Sequence, residues 1–416
     1  VDWCLESMKE SPQDSETVST RRSFPGRGGQ ILKWITVSFA LYCVLYIVGF
    51  FQYFDVFIFP RRHDAVFFIF VIASTFIYCP ATRRSPRNRV PWYDVLAVLL
   101  GTVVNVYIIT YALDISSRPY QLPSILEVAF GLITIILILE GVRRTAGISL
   151  ATLGAIFFTY PFVAEWMPGF LDGRNQSLFR MVEILYIYPA GIYSTTLHLL
   201  AVLVVVFLIF GAFLSVSGAG NFLINISYAL MGRYRGGPAK VAVMASSLFG
   251  SINGSGAANV AATGVITIPL MKKLGYKPHY AAAVEAVASN GGQIMPPVLG
   301  LTAFLIMDFL GVSYIQIVLA AIIPALLYYA ALFTMIHLEA VKTGIQSIPR
   351  SELPSIRKTF AEGWPFLVPM ILLVTLLGLQ FSAQTACLYS IGALIIASWF
   401  KKDTRMGWRK ISTALD

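Results

Sequence analysis

Apolar runs close to 20 residues long recur along most of this chain and constrain its fold more than any other feature. A helix needs about 20 apolar residues to cross the hydrocarbon core of a bilayer. Hydrophobic residues make up 57% of the 416 positions and charged residues only 12%, whereas soluble domains carry about 25% charged residues. We therefore predict an all-α polytopic membrane protein. Ten transmembrane helices are expected at 31–51, 64–80, 93–113, 122–140, 146–164, 192–214, 278–309, 313–338, 365–381 and 384–400.

The positions of the basic residues predict the orientation of these spans. The net charge of +10 would indicate nucleic acid in a soluble chain, but here Lys and Arg lie in short loops, so no nucleic-acid partner is expected. Cytoplasmic loops are enriched in Lys and Arg. The basic loops at 83–89, 143–144 and 401–405 would share one face, and only Arg61–Arg62 departs from the pattern. Both termini are therefore predicted to be cytoplasmic, with residues 1–30 as a disordered segment.

The stretch "FGSINGSGAANVAATGVITIPL" is the most polar uncharged segment of the chain. Residues 241–271 carry no charge, yet basic residues flank both ends. A single crossing would place one basic flank outside the cell, and two arms of about 15 residues are too short to cross. We therefore predict a re-entrant hairpin over 241–271. The alternative is one helix in which Gly250, Gly254, Ala258 and Ala262, spaced by four residues, serve close helix packing.

A second interruption is predicted in the span 278–309. "SNGGQ" at 289–293 precedes Pro296–Pro297 near its middle. Two adjacent prolines remove two amide donors and clash with the preceding turn, so the helix must break or kink. Broken membrane helices expose carbonyls that can hold a cation and amides that favour an anion. The hairpin tip and this break are expected to form one small polar chamber, a cation-coupled transport site.

Glu285 is an ionisable residue within that broken span. Such residues mark function by default, and Glu285 is a candidate proton or cation relay. The alternative is an ion pair with a basic loop residue such as Lys277, about two turns away. Glu140 is expected to pair with Arg143 or Arg144.

The stretch "GSINGSGAANVAATGVITIPLMKKLGYKPHYAAAVEAVASNGGQIMPP" resembles the large membrane subunit of TRAP (tripartite ATP-independent periplasmic) transporters, in particular fused permeases that work with TAXI-type receptors. The resemblance is specific over roughly 190–340 and looser over 31–140. It implies small-subunit-like helices at 31–121 and a large-subunit-like permease at 122–416, in a bacterial inner membrane. Also implied are a periplasmic TAXI-type solute-binding receptor, sodium as coupling ion without a cofactor, membrane lipid, and a small organic anion (a dicarboxylate or an amino-acid-like compound) as substrate.

The same resemblance implies the site residues. The family's hairpin-tip Ser-Gly-Ser falls on Asn253, Gly254 and Ser255, and an amide oxygen at Asn253 can still coordinate a hard cation. The expected sodium ligands are Asn253, Ser255, Ser289 and Asn290. The full set expected to bind substrate or ion is Ser251, Asn253, Gly254, Ser255, Asn259, Ser289, Asn290, Gly291, Gly292 and Gln293.

Coupled transporters of this kind carry a second, inverted repeat. After Gly363 the sequence shows two ordinary spans and neither a Pro-Pro pair nor a Gly-Asn-Ser cluster. We therefore expect the chain to be the first half of an inverted-repeat permease, truncated before the second repeat.

Two rival functions remain open. A passive channel could also be lined by broken helices. An intramembrane serine hydrolase would need a histidine within hydrogen-bond reach of Ser255, but His198 and His279 lie near the two faces of the membrane in the predicted topology. The chain is not expected to be an enzyme.

Overall fold

The computed structural model describes residues 22, 24, 26–82, 84–117, 123–349, 353–400 and 405–415, without the side chain of Asn253. The described elements are helical, which confirms the predicted fold class. In chain order they are α1 Arg27–Val48, α2 Pro60–Tyr78, α3 Trp92–Ser117, α4 Ile125–Thr145, α5 Ile148–Val163, α6 Leu178–Val182, α7 Thr195–Ser217, α8 Ala219–Met231, α9 Gly237–Asn253, α10 Gly256–Lys273, α11 Pro278–Gly291, α12 Leu301–Leu310, α13 Tyr314–Thr343, α14 Ile356–Gly378, α15 Ala383–Ser398 and α16 Trp408–Leu415.

Each predicted span coincides with a helix. In the described part of the chain, seven helical segments are long and apolar enough to cross a membrane: α1, α3, α4, α5 with the 3-10 turn that extends it to Trp166, α7, α13 and α14. α2 and α15 have 19 and 16 residues, and α11 and α12 are the two halves of the predicted span 278–309. The prediction missed α6, α8 and α16. α8 follows α7 directly after Gly218, whose left-handed conformation (φ 95°) ends one helix and starts the next.

The chain divides into two compact units. The first contains the described residues within 1–32 and 58–194, and the second contains the described residues within 33–57 and 195–416. The predicted boundary at residue 121 concerns the relation to a separate small subunit and stays a prediction. Of the predicted disordered segment 1–30, residues 1–21, 23 and 25 lie outside the described residues. In the remainder Arg22 is buried and α1 begins at Arg27, so ordered structure starts earlier than expected.

A buried network of charges stabilises the first unit. Arg22 Nη2 donates to Asp94 Oδ2 at 2.6 Å, and both side chains are fully buried. Asp94 Oδ1 accepts from Arg144 Nη1 at 2.7 Å. Glu140 accepts from Arg144 Nε and Arg143 Nε, each at 2.7 Å, so its predicted pairing is confirmed. The network joins residue 22 to the start of α3 and the end of α4.

An aromatic core in the second unit supports the break between α11 and α12. The rings of Phe304 and Tyr314 stack with centroids 5.0 Å apart, and Phe207 lies 5.4 Å from Phe304. The Tyr314 hydroxyl donates to Pro297 O and accepts from Leu299 N–H, both at 3.1 Å. Tyr314 therefore provides hydrogen bonds to two main-chain groups of the break, which have no partner within a helix.

We predict that Asp94→Asn strongly destabilises the protein. Removing one partner of a buried ion pair leaves uncompensated charge and costs about 3–5 kcal/mol of unfolding free energy. Denaturant unfolding in detergent micelles measures the loss. Asp172→Asn, which removes the same charge at an exposed loop position, is the matched control, and equal effects of the two variants would contradict the prediction.

Candidate functional site

The uncharged segment folds into two helices that turn at Gly254–Ser255. α9 ends at Asn253, and Gly254 adopts a left-handed conformation (φ 59°) with its N–H donating to Gly250 O at 2.9 Å. Glycine adopts this conformation without steric cost. Ser255 Oγ accepts from Ala258 N–H at 3.4 Å and caps α10. The alternative of one continuous helix is therefore wrong.

The two arms pack against each other as an antiparallel hairpin. Ser246 Oγ on α9 lies 3.1 Å from Thr263 Oγ1 on α10. The Asn259 side-chain amide on α10 donates back to Ser246 O at 2.7 Å. The helical hairpin is present, whereas the placement of both its ends on one side of a membrane stays a prediction.

The predicted break between the halves of the next span is also present. α11 ends at Gly291, one 3-10 turn covers Gly292–Ile294, and α12 begins at Leu301. Residues 295–300, which include Pro296 and Pro297, are not helical. A simple proline kink within one helix is therefore excluded.

Main-chain hydrogen bonds join the hairpin tip to this break. Val298 N–H donates to Ser251 O at 3.0 Å, and Gly300 N–H donates to Gln293 O at 2.7 Å. Main-chain groups without such partners are very unfavourable at membrane depth. The first bond therefore joins the end of α9 to the break, and the second satisfies main-chain groups within the break itself.

Glycines allow the two interruptions to approach closely. A Cβ added at Gly292 would lie 2.6 Å from Gly250 Cα, and one added at Gly254 would lie 2.7 Å from Leu299 O. A Cβ at Gly256 would lie 2.9 Å from Gln293 Nε2. At Gly250, Gly254 and Gly292 a side chain would therefore collide with main-chain atoms, whereas Gly256 lies against the side chain of Gln293.

Glu285 is fully buried beside the hairpin. Its Oε1 accepts from Ser246 Oγ at 2.8 Å, Ser289 Oγ at 3.0 Å and Thr263 Oγ1 at 2.5 Å. Its Oε2 accepts from Thr267 Oγ1 at 2.5 Å. We call these four side chains the hydroxyl cluster. Hydroxyls from α9, α10 and α11 therefore surround the carboxylate. The alternative of an ion pair between Glu285 and a basic loop residue such as Lys277 is wrong.

The predicted site residues lie in two environments rather than in one chamber. Asn259 and Ser289 are buried beside Glu285, with Asn259 Nδ2 3.5 Å from Ser289 O. Asn290 and Gln293 are exposed and bond each other, Gln293 Nε2 donating to Asn290 Oδ1 at 2.6 Å. Of the remaining predicted residues, Ser251 Oγ bonds Leu248 O within α9, Ser255 caps α10, Gly254 forms the turn, Gly291 lies against Tyr328, and Gly292 lies against Gly250. The Asn253 side chain lies outside the described residues. Their roles in binding stay predictions.

The sequence analysis named Ser289 but missed the other three hydroxyls that contact Glu285, those of Ser246, Thr263 and Thr267. Asn259, Thr263 and Thr267 are spaced by four residues, which places them on one face of α10. Each of them is fully buried. This polar stripe in "NVAATGVIT" was the available signal, whereas nothing in the sequence indicates that Ser246 faces it.

A shallow recess of about 420 Å³ lies on the outer side of the same elements. Asn290 and Tyr328 supply its polar side chains, and Gly256, Ala257 and Val260 are among its other lining residues. Small side chains therefore leave space next to the exposed part of the break.

Comparison with known proteins identifies the kind of molecule that carries this geometry. The sequence profile described as "Tripartite ATP-independent periplasmic transporter, DctM component" matches residues 133–416. The chain belongs to this family. In keeping with that membership, it is a multi-pass membrane protein of a permease family, and its relatives are transporter components rather than enzymes.

Three relatives illustrate the similarity. The C4-dicarboxylate TRAP transporter large permease protein DctM of Pseudomonas aeruginosa is 28% identical over 220 residues, which cover 52% of this chain and 50% of the relative. The isethionate TRAP transporter permease protein DctMQ of Oleidesulfovibrio alaskensis is 28% identical over 232 residues (53% and 35%). The ectoine/5-hydroxyectoine TRAP transporter large permease protein UehC of Ruegeria pomeroyi is 30% identical over 174 residues (41% and 40%). The matched region thus spans half or less of these relatives' length.

We predict that Gly250→Ala and Gly292→Ala each disrupt the contact between hairpin and break. Overpacking costs about 1–3 kcal/mol, and here the added methyl group meets main-chain atoms that cannot change rotamer. Thermal unfolding in detergent and the yield of monodisperse protein measure the effect. Gly392→Ala, at a helical glycine with open space around it, is the control. Unchanged stability in both hairpin variants would contradict the proposed packing.

Proposed function

We propose that this chain forms the hairpin-bearing part of the permease of a sodium-coupled, receptor-dependent uptake system for a small organic anion. The observation that carries the proposal is the interlocked helical hairpin and broken helix in a chain of the DctM family. Coupled transporters place ion and substrate sites where membrane helices are interrupted. The hairpin is proposed to be re-entrant, because basic residues flank both its ends.

The oxygen atoms at the two interruptions suit sodium, a hard cation that takes hydroxyl, amide and main-chain oxygens. The Leu299 carbonyl oxygen lies beside Gly254 at the tip. Ser255 and Asn290 are the proposed side-chain ligands from the two elements, together with Asn253. Ser289 is the fourth proposed ligand. It faces inward, because its hydroxyl donates to Glu285, so its oxygen would approach the sodium ion from the buried side of α11. Bound sodium would couple uptake to the electrochemical gradient.

The partners and location are proposed from the family and the resemblance. We propose a periplasmic TAXI-type receptor as the partner and small-subunit-like helices fused in front of the permease. The multi-pass protein would lie in a bacterial inner membrane with its described termini in the cytoplasm. The relatives' names mention C4-dicarboxylate, isethionate and ectoine, and a dicarboxylate or an amino-acid-like anion is the proposed substrate. Neither arginine nor lysine occurs at 241–271 or at 278–310, so within these segments the substrate anion would contact amides and hydroxyls.

Sodium coupling is tested by uptake into proteoliposomes that contain the intact transport system, with radiolabelled succinate and glutamate as first probes. Ser255→Ala and Asn290→Ala should raise the sodium concentration for half-maximal uptake tenfold or more, because a contact to a charged group contributes about 1.5–3 kcal/mol. Thr375→Ala, which removes an exposed hydroxyl bonded within its own helix, should have no effect. Equal uptake after choline replaces sodium would reject the coupling, and flux without receptor would favour the channel.

The re-entrant placement is tested by cysteine labelling. In a background without native cysteines, Lys240→Cys and Lys273→Cys should both react with a membrane-impermeant maleimide from the cytoplasmic side only. Both positions are exposed or partly exposed at the open end of the hairpin. Asp172→Cys, in a predicted outer loop, should react from the opposite side. Labelling of the two hairpin positions from different sides would show a complete crossing.

A further inference from the structure

Glu285 is a buried carboxylate without a counter-charge in the described part of the chain. None of the ion pairs found there includes it. On the neighbouring helices, Lys240 lies 3.3 Å from His337 Nδ1, and Lys272 and Lys273 are exposed at the end of α10. The hydroxyl cluster supplies dipoles but no net charge. An uncompensated buried charge is strongly unfavourable, so a nearby cation would relieve a cost that is built into the fold.

The carboxylate is connected to the proposed ion site through the helix that carries both. Glu285 accepts from Ser289, one turn further along α11, and Asn290 follows directly. Five residues of helix correspond to about 7.5 Å of rise. At such a separation, in surroundings much less polar than water, one negative charge attracts a cation strongly.

We propose that Glu285 is a positioning residue whose negative charge retains the coupling cation at the hairpin tip and helix break. This inference rests on the sodium coupling proposed above. Glu285 acts on the cation through its field and through the orientation of Ser289, without being a ligand itself.

The cluster allows the charge to be tested separately from the hydrogen bonds. Thr267 Oγ1 lies 3.0 Å from Thr263 O, and Thr263 Oγ1 lies 2.8 Å from Asn259 O. Each threonine hydroxyl therefore has a second acceptor. In Glu285→Gln, the new side-chain amide can donate to Thr267 while the Thr267 hydrogen turns to Thr263 O. The variant removes the charge and leaves each hydroxyl of the cluster with a partner.

The experiment measures binding of ²²Na⁺ to the full permease in nanodiscs, at ionic strength held constant with choline chloride, and thermal unfolding with and without sodium. Glu285→Gln should raise the half-saturating sodium concentration at least tenfold. In sodium-free buffer it should unfold at the same temperature as the wild type or higher, because an unfavourable buried charge is gone. Glu339→Gln, which removes the same charge at a partly exposed position of α13, should bind sodium like the wild type.

Thr267→Val separates a charge effect from a merely structural one. It removes a hydrogen bond and keeps the charge, so sodium binding should change less than threefold even if stability falls. Wild-type sodium binding by Glu285→Gln, or equal weakening of binding by Thr267→Val and Glu285→Gln, would overturn the proposal. Absence of ²²Na⁺ binding to the wild type would instead reject the sodium coupling on which the inference rests.

Discussion

The pairing of main-chain groups between two interrupted helices is the interaction on which the second unit depends. An interruption leaves amides and carbonyls without helical partners, and such groups are tolerated at membrane depth only when protein or water satisfies them. Here the break donates to the end of α9 through the bond from Val298 N–H to Ser251 O, the break closes on itself through Gly300 N–H and Gln293 O, and Tyr314 adds a hydroxyl from the aromatic core. The bond from Val298 N–H to Ser251 O therefore couples the stability of the hairpin to that of the broken helix.

Small residues make that pairing possible, and the buried polar cluster follows from it. Because Gly250 and Gly292 lack side chains, α9 lies close enough to α11 for Ser246 to contact Glu285. The same approach brings the Thr263 and Thr267 face of α10 onto the carboxylate. A polar centre therefore forms inside an otherwise apolar unit without any long side chain reaching across.

Much of the fold was predictable from the sequence, because the length of an apolar run and the presence of Pro296–Pro297 act locally. The tip at Gly254–Ser255 was predictable for the same reason: flexible and hydrogen-bonding residues are concentrated there. α8 was missed because only Gly218 separates it from α7. The Glu285 partners Ser246, Thr263 and Thr267 were missed because they depend on how three helices align, and a single sequence does not contain that register. The expected chamber divided into two environments because Ser289 and Asn290, although adjacent, point to different sides of α11.

The ion pair between Arg22 and Asp94 has a consequence for biogenesis. Arg22 leaves the ribosome 72 positions before its partner, an interval of roughly 4–14 s at about 5–20 residues per second. During that time Arg22 can donate to the carbonyl oxygens of Phe76 and Ile77 at the end of α2, whereas its charge still lacks the Asp94 carboxylate. Closure of this ion pair therefore marks the moment at which the residue ahead of α1 becomes linked to the start of α3.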